Sequence, residues 1–217
     1  MRKGTLVTVE GIDGSGKSSH MQWLAEYLSK SLNCSVLSLR EPGSTELGER
    51  LRTLLLEHEM LPITEMLLAC AARYELIGQK ILPCLLKGNT VLCDRFADST
   101  YAYQCAGKKT PKYLWYLLQE FIQRNESMYV KPDLTIFFDL PPEIAAQRIQ
   151  ARGDQQDRFE RQNQAFFDNV RNGYLDTLRR RENVIHIDAH QSLQSVRSEL
   201  ELKLANFLGQ PNGLLSR

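Results

Sequence analysis

Three observations in this 217-residue sequence predict an α/β fold, with a five-stranded parallel sheet covered by helices on both faces. Five short β-rich runs alternate with stretches of helical periodicity, the pattern that lays crossover helices over a parallel sheet. Each run ends in polar or charged residues: Glu10, Arg40-Glu41, Asp94-Arg95, Asp139 and Asp188. In such sheets ligands sit outside the carboxyl ends of the strands. The first run leads directly into Gly11-Ile12-Asp13-Gly14-Ser15-Gly16-Lys17-Ser18, which has the G-x-x-x-x-G-K-S spacing of a phosphate-cradling P-loop.

Thr5-Leu6-Val7-Thr8-Val9 reads as the first strand. Met21, Leu24, Ala25, Leu28 and Leu32 then recur at helical spacing. Ser35–Leu39 reads as the second strand, followed by a helix over 46–57. A longer helix is expected over 64–86, with a kink near Pro83. Thr90–Cys93 is the third strand, entered through Gly88-Asn89. Helical stretches follow over 99–105 and 112–124. Leu134–Phe138 is apolar on both faces, as a central parallel strand should be. Pro142 opens the next helix, to about Ala151. A polar stretch, 152–161, precedes a helix through Phe167, Val170, Tyr174 and Leu178. Val184–Ile187 is the fifth strand, and Leu193–Phe207 the last helix. One domain over 1–209 is expected, with a frayed tail at 210–217.

The loop residues have a definite chemistry. Glycines accept positive φ, so successive N–H groups of Gly11 to Ser18 converge on phosphate oxygens. Lys17 supplies a point charge for the β- and γ-phosphates, and the Ser18 hydroxyl suits Mg²⁺. Strand, glycine loop and helix together aim a helix N-terminus at an anion. A bound nucleoside triphosphate follows.

Composition excludes several classes. With 27 basic and 26 acidic residues the formal charge is +1, which gives no reason to expect a nucleic-acid surface. The five cysteines are odd in number, widely spaced and without a C-x-x-C pair, so neither a zinc site nor a disulfide framework is indicated. The apolar runs are too short to span a bilayer, and the first strand begins at once, so a cytoplasmic protein is expected.

Six segments carry a closer resemblance: Val9–Ser18; Arg40-Glu41-Pro42-Gly43; Ala71-Ala72-Arg73; Asp94-Arg95-Phe96; Ser99-Thr100-Tyr101-Ala102-Tyr103-Gln104; and Arg152-Gly153 leading to Asp157-Arg158-Phe159-Glu160. In this order they resemble the thymidylate kinases of bacterial type, members of the nucleoside monophosphate kinase group. The resemblance implies transfer of a phosphoryl group from ATP to dTMP, with Mg²⁺, in dTTP synthesis, by a homodimer. It implies that Lys17 and the loop amides hold ATP phosphates, with Ser18 and Asp94 on the metal. Asp13 would face the acceptor near its 3′-hydroxyl. Arg95 would hold the dTMP phosphate, with Arg40 and Arg52 nearby. Arg73, Thr100 and Gln104 match positions that contact the base, and Tyr103 one beside the deoxyribose.

The basic stretch Arg148, Arg152, Arg158, Arg161 resembles a lid, over about 148–161, that closes on ATP. Gly14 stands where some relatives carry a basic residue, and such loops go with a lid that supplies the catalytic arginine. Arg152 is the first candidate and Arg158 the second, since a positioned guanidinium stabilises charge on the transferring group. The chain departs from the family pattern at Ser44, a glycine in relatives, and at Ala69, where most relatives stack an aromatic ring on thymine. Stacking is worth about 0.5–1.5 kcal/mol, and Tyr74 or another ring would have to replace it. Ala69 motivates an alternative, a kinase of another or broader set of deoxynucleotides; a P-loop ATPase switch is the other.

Overall fold

The computed structural model describes residues 4–124, 129–153, 155–179, 181–209 and 214. Its five strands are all parallel, in the order β2-β3-β1-β4-β5. The strands are β1 (Thr5–Glu10), β2 (Val36–Arg40), β3 (Thr90–Asp94), β4 (Leu134–Asp139) and β5 (Val184–Asp188). Register sets Asp94 beside both Val9 and Arg40, so the carboxyl ends of β1, β2 and β3 finish level. That edge is where the motifs meet.

The helices are α1 (Lys17–Leu32), α2 (Glu46–Glu57), α3 (Pro62–Leu76), α4 (Leu82–Leu86), α5 (Ala97–Thr100), α6 (Lys112–Gln123), α7 (Pro142–Arg152), α8 (Gln164–Leu178) and α9 (Leu193–Gly209). Every residue of β1 is buried, and its period-2 alternation divides the core. Val7 and Val9 pack with Leu24, Leu28, Val170 and Leu200, whereas Leu6 packs with Met66, Leu76, Ile81 and Leu85. Full burial of each such side chain contributes about 1.5–3 kcal/mol, which clamps the sheet between two helical layers.

Local signals explain several boundaries. Thr45 caps α2 by accepting from Gly48 N–H at 2.9 Å, and Asn163 caps α8 by accepting from Phe166 N–H at 2.9 Å. Pro142 sits in the first turn of α7, and Gly153, at φ 75°, ends it.

Two expected helices differ in detail. The 64–86 stretch is α3, then a widened π turn over Ile77–Ile81, then α4. Pro83 has no N–H and its ring would strike a carbonyl one turn back, so the widening falls just ahead of it. The 99–105 stretch is α5 followed by a π-helical segment, Tyr101–Gly107, which carries Tyr103 and Gln104. Of the tail at 210–217 only Leu214 lies within the described residues, and it is buried in the core. Among the described residues no helix is long and apolar enough to cross a membrane.

Candidate active site

The P-loop joins β1 to α1. Gly11, Gly14 and Gly16 all hold positive φ, which turns the loop's amides toward one side. Lys17 folds back over the loop, its Nζ donating to Gly11 O at 2.9 Å and Ile12 O at 3.0 Å. Burial and the neighbouring Arg95 lower its pKa to about 8, against the pull of Asp94, Asp13 and Glu10. Gly14 is tightly constrained against α7. Its φ is 78°, and an added Cβ would lie 2.7 Å from the carbonyl oxygen of Ala145 in α7. A side chain there would force the loop or α7 to shift. Gly14→Ala is expected to cost about 1–3 kcal/mol of stability, read in denaturant melts, and to lower kcat as the loop moves off α7.

Asp13, inside the loop, is locked to β3 and the π segment. Arg95 Nη2 donates to Asp13 Oδ1 at 2.6 Å, and Tyr103 Oη donates to Asp13 Oδ2 at 2.7 Å. Burial alone would raise the Asp13 pKa, but Arg95, Lys17 and the Tyr103 hydrogen bond bring it down to about 2. Arg95 itself stands at φ 70° and also donates to Gly11 O (2.9 Å), Ser99 Oγ (3.2 Å) and Tyr174 Oη (2.9 Å). Behind it, Glu10 accepts from Phe96 N–H at 2.8 Å and Ser99 Oγ at 2.6 Å. Burial and nearby Asp98 push the Glu10 carboxyl up to about 7, with Ser99, Arg95 and the Phe96 amide opposing.

Arg52 lines a cleft together with Asp13 and Arg95 and donates to Pro42 O at 3.2 Å. Burial lowers its pKa, and so do Arg40 and Arg95 close by. Guanidiniums drawn together from two strand ends and from α2, repelling one another, suit an anion. Arg40 lies further out, half exposed and paired with Glu49 at 2.7 Å. Arg73 is buried: it pairs with Glu41 and donates to Thr100 Oγ1 at 2.5 Å, Phe96 O at 3.2 Å and Gln119 Oε1 at 3.2 Å. Arg73, Thr100, Tyr103 and Gln104 line one cleft of about 640 Å³, its open mouth included. Ala69 forms part of its wall. Tyr74 does not restore a ring there, being 57% exposed; the aromatic residues lining the cleft are Tyr103 and Phe159, edge to face at 5.7 Å between centroids.

Arg152 and Arg158 separate. Arg152, with Arg148, lines a second cleft around Gly14, Lys17 and Ser18, and its Nη2 donates to both Glu160 oxygens at 2.9 and 3.0 Å. Arg158 does not reach that cleft. It is 2% exposed, donates to Leu55 O at 3.1 and 2.8 Å, and lies 2.6 Å from Glu65. The polar stretch 152–161 therefore sends one guanidinium toward the P-loop and buries the other against α2 and α3. Asp94 Oδ1 is buried without a hydrogen-bond partner, and Ser18 is exposed in the same cleft. These hard oxygens fit Mg²⁺. Among the described residues no cluster of three or more metal-ligating side chains exists, so most ligands of such an ion would be phosphate and water oxygens.

Asp13, Glu41, Arg52, Arg95 and Asp157 line both clefts, so the P-loop cleft and the arginine-rich cleft meet at these residues. A P-loop facing a second, cationic cleft across Asp13 defines the P-loop phosphotransferases that act on a small phosphorylated acceptor. Comparison with known proteins narrows the class. The family described as "Thymidylate kinase" matches residues 9–200. Proteins named thymidylate kinase from Thiobacillus denitrificans and Nitrosomonas eutropha are each 42% identical, over 91% of this chain and 94% of the relative, and over 92% of both, respectively. One from Pseudomonas savastanoi is 43% identical, over 94% of this chain and 97% of its own length. The chain belongs to the thymidylate kinase family.

Sequence reasoning assigned no supporting role to Glu10, Ser99 and Tyr174, which brace Arg95, or to Glu41, which pairs with Arg73. Glu10, Ser99 and Glu41 stood inside recognised motifs. Tyr174 carried no signal beyond its place on an apolar helix face.

Proposed function

We propose that this enzyme transfers the γ-phosphoryl group of ATP to dTMP, giving ADP and dTDP. The observation that carries the proposal is the meeting of the two clefts at Asp13, Arg52 and Arg95. A phosphate oxygen of dTMP attacks the γ-phosphorus; the bond to the β–γ bridging oxygen breaks and ADP leaves. The acceptor oxygen is already anionic, so no side chain has to act as a strong base. Alignment and charge neutralisation do the catalysis.

In this reading Lys17 and the amides of Gly11–Ser18 hold the ATP phosphates. Arg95 and Arg52, with Arg40 at the rim, hold the dTMP phosphate. Asp13 approaches the sugar near its 3′-hydroxyl, and Tyr103 packs beside the deoxyribose. Arg73, Thr100 and Gln104 meet the base, whose two carbonyls and one N–H match a guanidinium, a hydroxyl and an amide. Mg²⁺, held by Ser18 and Asp94, would neutralise charge on the donor phosphates. Residues 148–161 form the lid of a single domain, and Arg152 supplies the catalytic guanidinium; the buried Glu65 contact of Arg158 speaks against that role for it. Arg152→Ala is expected to lower kcat at least about tenfold, checked by steady-state kinetics.

The same reading implies a cytoplasmic homodimer. Tyr113, Tyr116, Leu117 and Phe121 on α6, with Leu67 and Tyr74 on α3, are exposed apolar side chains of the kind a second copy would cover. Sedimentation should give twice the chain mass.

Acceptor choice is tested by kcat/KM across dTMP, dUMP, dCMP, dGMP and dAMP. The proposal expects dTMP to be the best acceptor; another nucleotide in that place would overturn the base assignment.

A further inference from the structure

Glu65 stands behind the acceptor cleft and has no part in the roles above. It shares one face of α3 with Ala69 and Arg73, four and eight residues on, so the helix aims all three toward the π segment that carries Gln104. Glu65 is fully buried. One of its oxygens accepts from Gln104 Nε2 at 2.9 Å, and the other lies 2.6 Å from Arg158 Nη2. Arg158 is held in turn by Leu55 O. One carboxylate oxygen is thus held by the Gln104 amide and the other lies against the Arg158 guanidinium as an ion pair.

An ion-paired carboxylate offers only acceptors, so the end of the Gln104 amide that faces it must be the NH₂ group. Fixing one end of an amide fixes the other. Gln104 Oε1 is turned away from Glu65, receives no hydrogen bond from the described residues, and belongs to a side chain lining the cleft. Without such a partner a glutamine amide flips through 180° and accepts or donates equally well.

We infer that Glu65 is a positioning residue for base selection: it holds Gln104 with its carbonyl toward the acceptor base. The base chosen is then one that donates an N–H at that point. Thymine N3 bears a hydrogen, whereas cytosine N3 bears a lone pair that the same carbonyl repels. A site built to accept one hydrogen bond discriminates through the group left unpaired when the wrong base enters. The inference rests on the dTMP reading, because that reading places the base against Gln104.

The test is kcat/KM for dTMP and dCMP in the wild type, Glu65→Gln, Glu65→Asp, Gln104→Met and the double variant Glu65→Gln/Gln104→Met. An amide at position 65 presents either a donor or an acceptor, so the flip becomes available. The dTMP-over-dCMP ratio is expected to fall at least about tenfold in Glu65→Gln and in Gln104→Met, and no further in the double variant. Glu65→Asp, still an acceptor only, should keep most of the ratio. An unchanged ratio in Glu65→Gln, or dTMP and dCMP rates falling in parallel, would show that Glu65 serves packing alone and would overturn the inference. Should the Glu65 variants fail to fold, the ¹⁵N-labelled wild type answers the question. Its Gln104 NH₂ is expected to stay protected from solvent exchange with and without dTMP; rapid exchange in either state overturns the inference. A wild type that phosphorylates neither nucleotide would instead overturn the activity.

Discussion

Replacing Arg95 by Met is expected to lower kcat/KM for dTMP by about 10³-fold or more, roughly 4 kcal/mol of transition-state stabilisation. Methionine keeps an apolar stem of similar reach but loses every donor. Arg95 spends those donors on Asp13, Gly11, Ser99, Tyr103 and Tyr174, so it holds the P-loop, β3 and α8 in one arrangement while facing the acceptor cleft. The loss is therefore double: the acceptor phosphate loses its cation, and Asp13 loses the partner that fixes it. The second loss has its own signature in pH. With Arg95 present the Asp13 carboxyl stays ionised down to about 2. Without it burial is less opposed, the pKa rises, and the acid limb of the kcat/KM profile moves to higher pH. ADP binding, measured by calorimetry, should persist, because Lys17 and the loop amides remain. A variant retaining a tenth or more of wild-type kcat/KM, with the acid limb unmoved, would contradict the assignment.

Lys17→Met is expected to lower kcat by a similar factor, about 10³-fold, with dTMP binding retained. Lys17 is the ammonium within the loop, and its present partners are the carbonyls of Gly11 and Ile12. Phosphate oxygens would replace these weak acceptors with charged ones. A pH signature accompanies this too. The pKa of Lys17 is lowered to about 8 by burial and by Arg95, so the free enzyme carries the cation below that value and loses it above. The kcat/KM for ATP should therefore fall as pH rises through about 8. The kcat should hold to higher pH, since bound phosphates favour the charged form. A pH profile flat through this range, or identical in Lys17→Met, would contradict the role.

Most of the fold was legible because its signals are local. Five β-rich runs, their polar ends and the glycine loop each declare themselves within ten residues, and all five strands appear where the runs lie. The lining of the arginine-rich cleft was legible where motifs were contiguous, since Arg95, Thr100, Tyr103 and Gln104 all lie along it. What escaped depends on which way a side chain turns. Arg152 and Arg158 sit in the same polar stretch, and charge pattern cannot say that one faces the P-loop while the other is buried against Glu65. Glu65 itself reads as an acidic residue suited to a helix's first turn, a solvated position by pattern. Its burial becomes evident only when Arg158 arrives from 93 positions further along the chain. Ala69 left its wall of the cleft without an aromatic ring for the same reason. Phe159, from the polar stretch after α7, lines that cleft, and nothing in the local sequence links the two.

The central claim is that the donor loop and the arginine cleft are two halves of one phosphoryl-transfer site. The most direct measurement is ADP and dTDP formation from ATP and Mg²⁺ by the purified chain, with and without dTMP. The account predicts ADP release that depends on dTMP and is matched by an equal amount of dTDP. ATP turnover that proceeds without dTMP, or ADP release without dTDP, would contradict it.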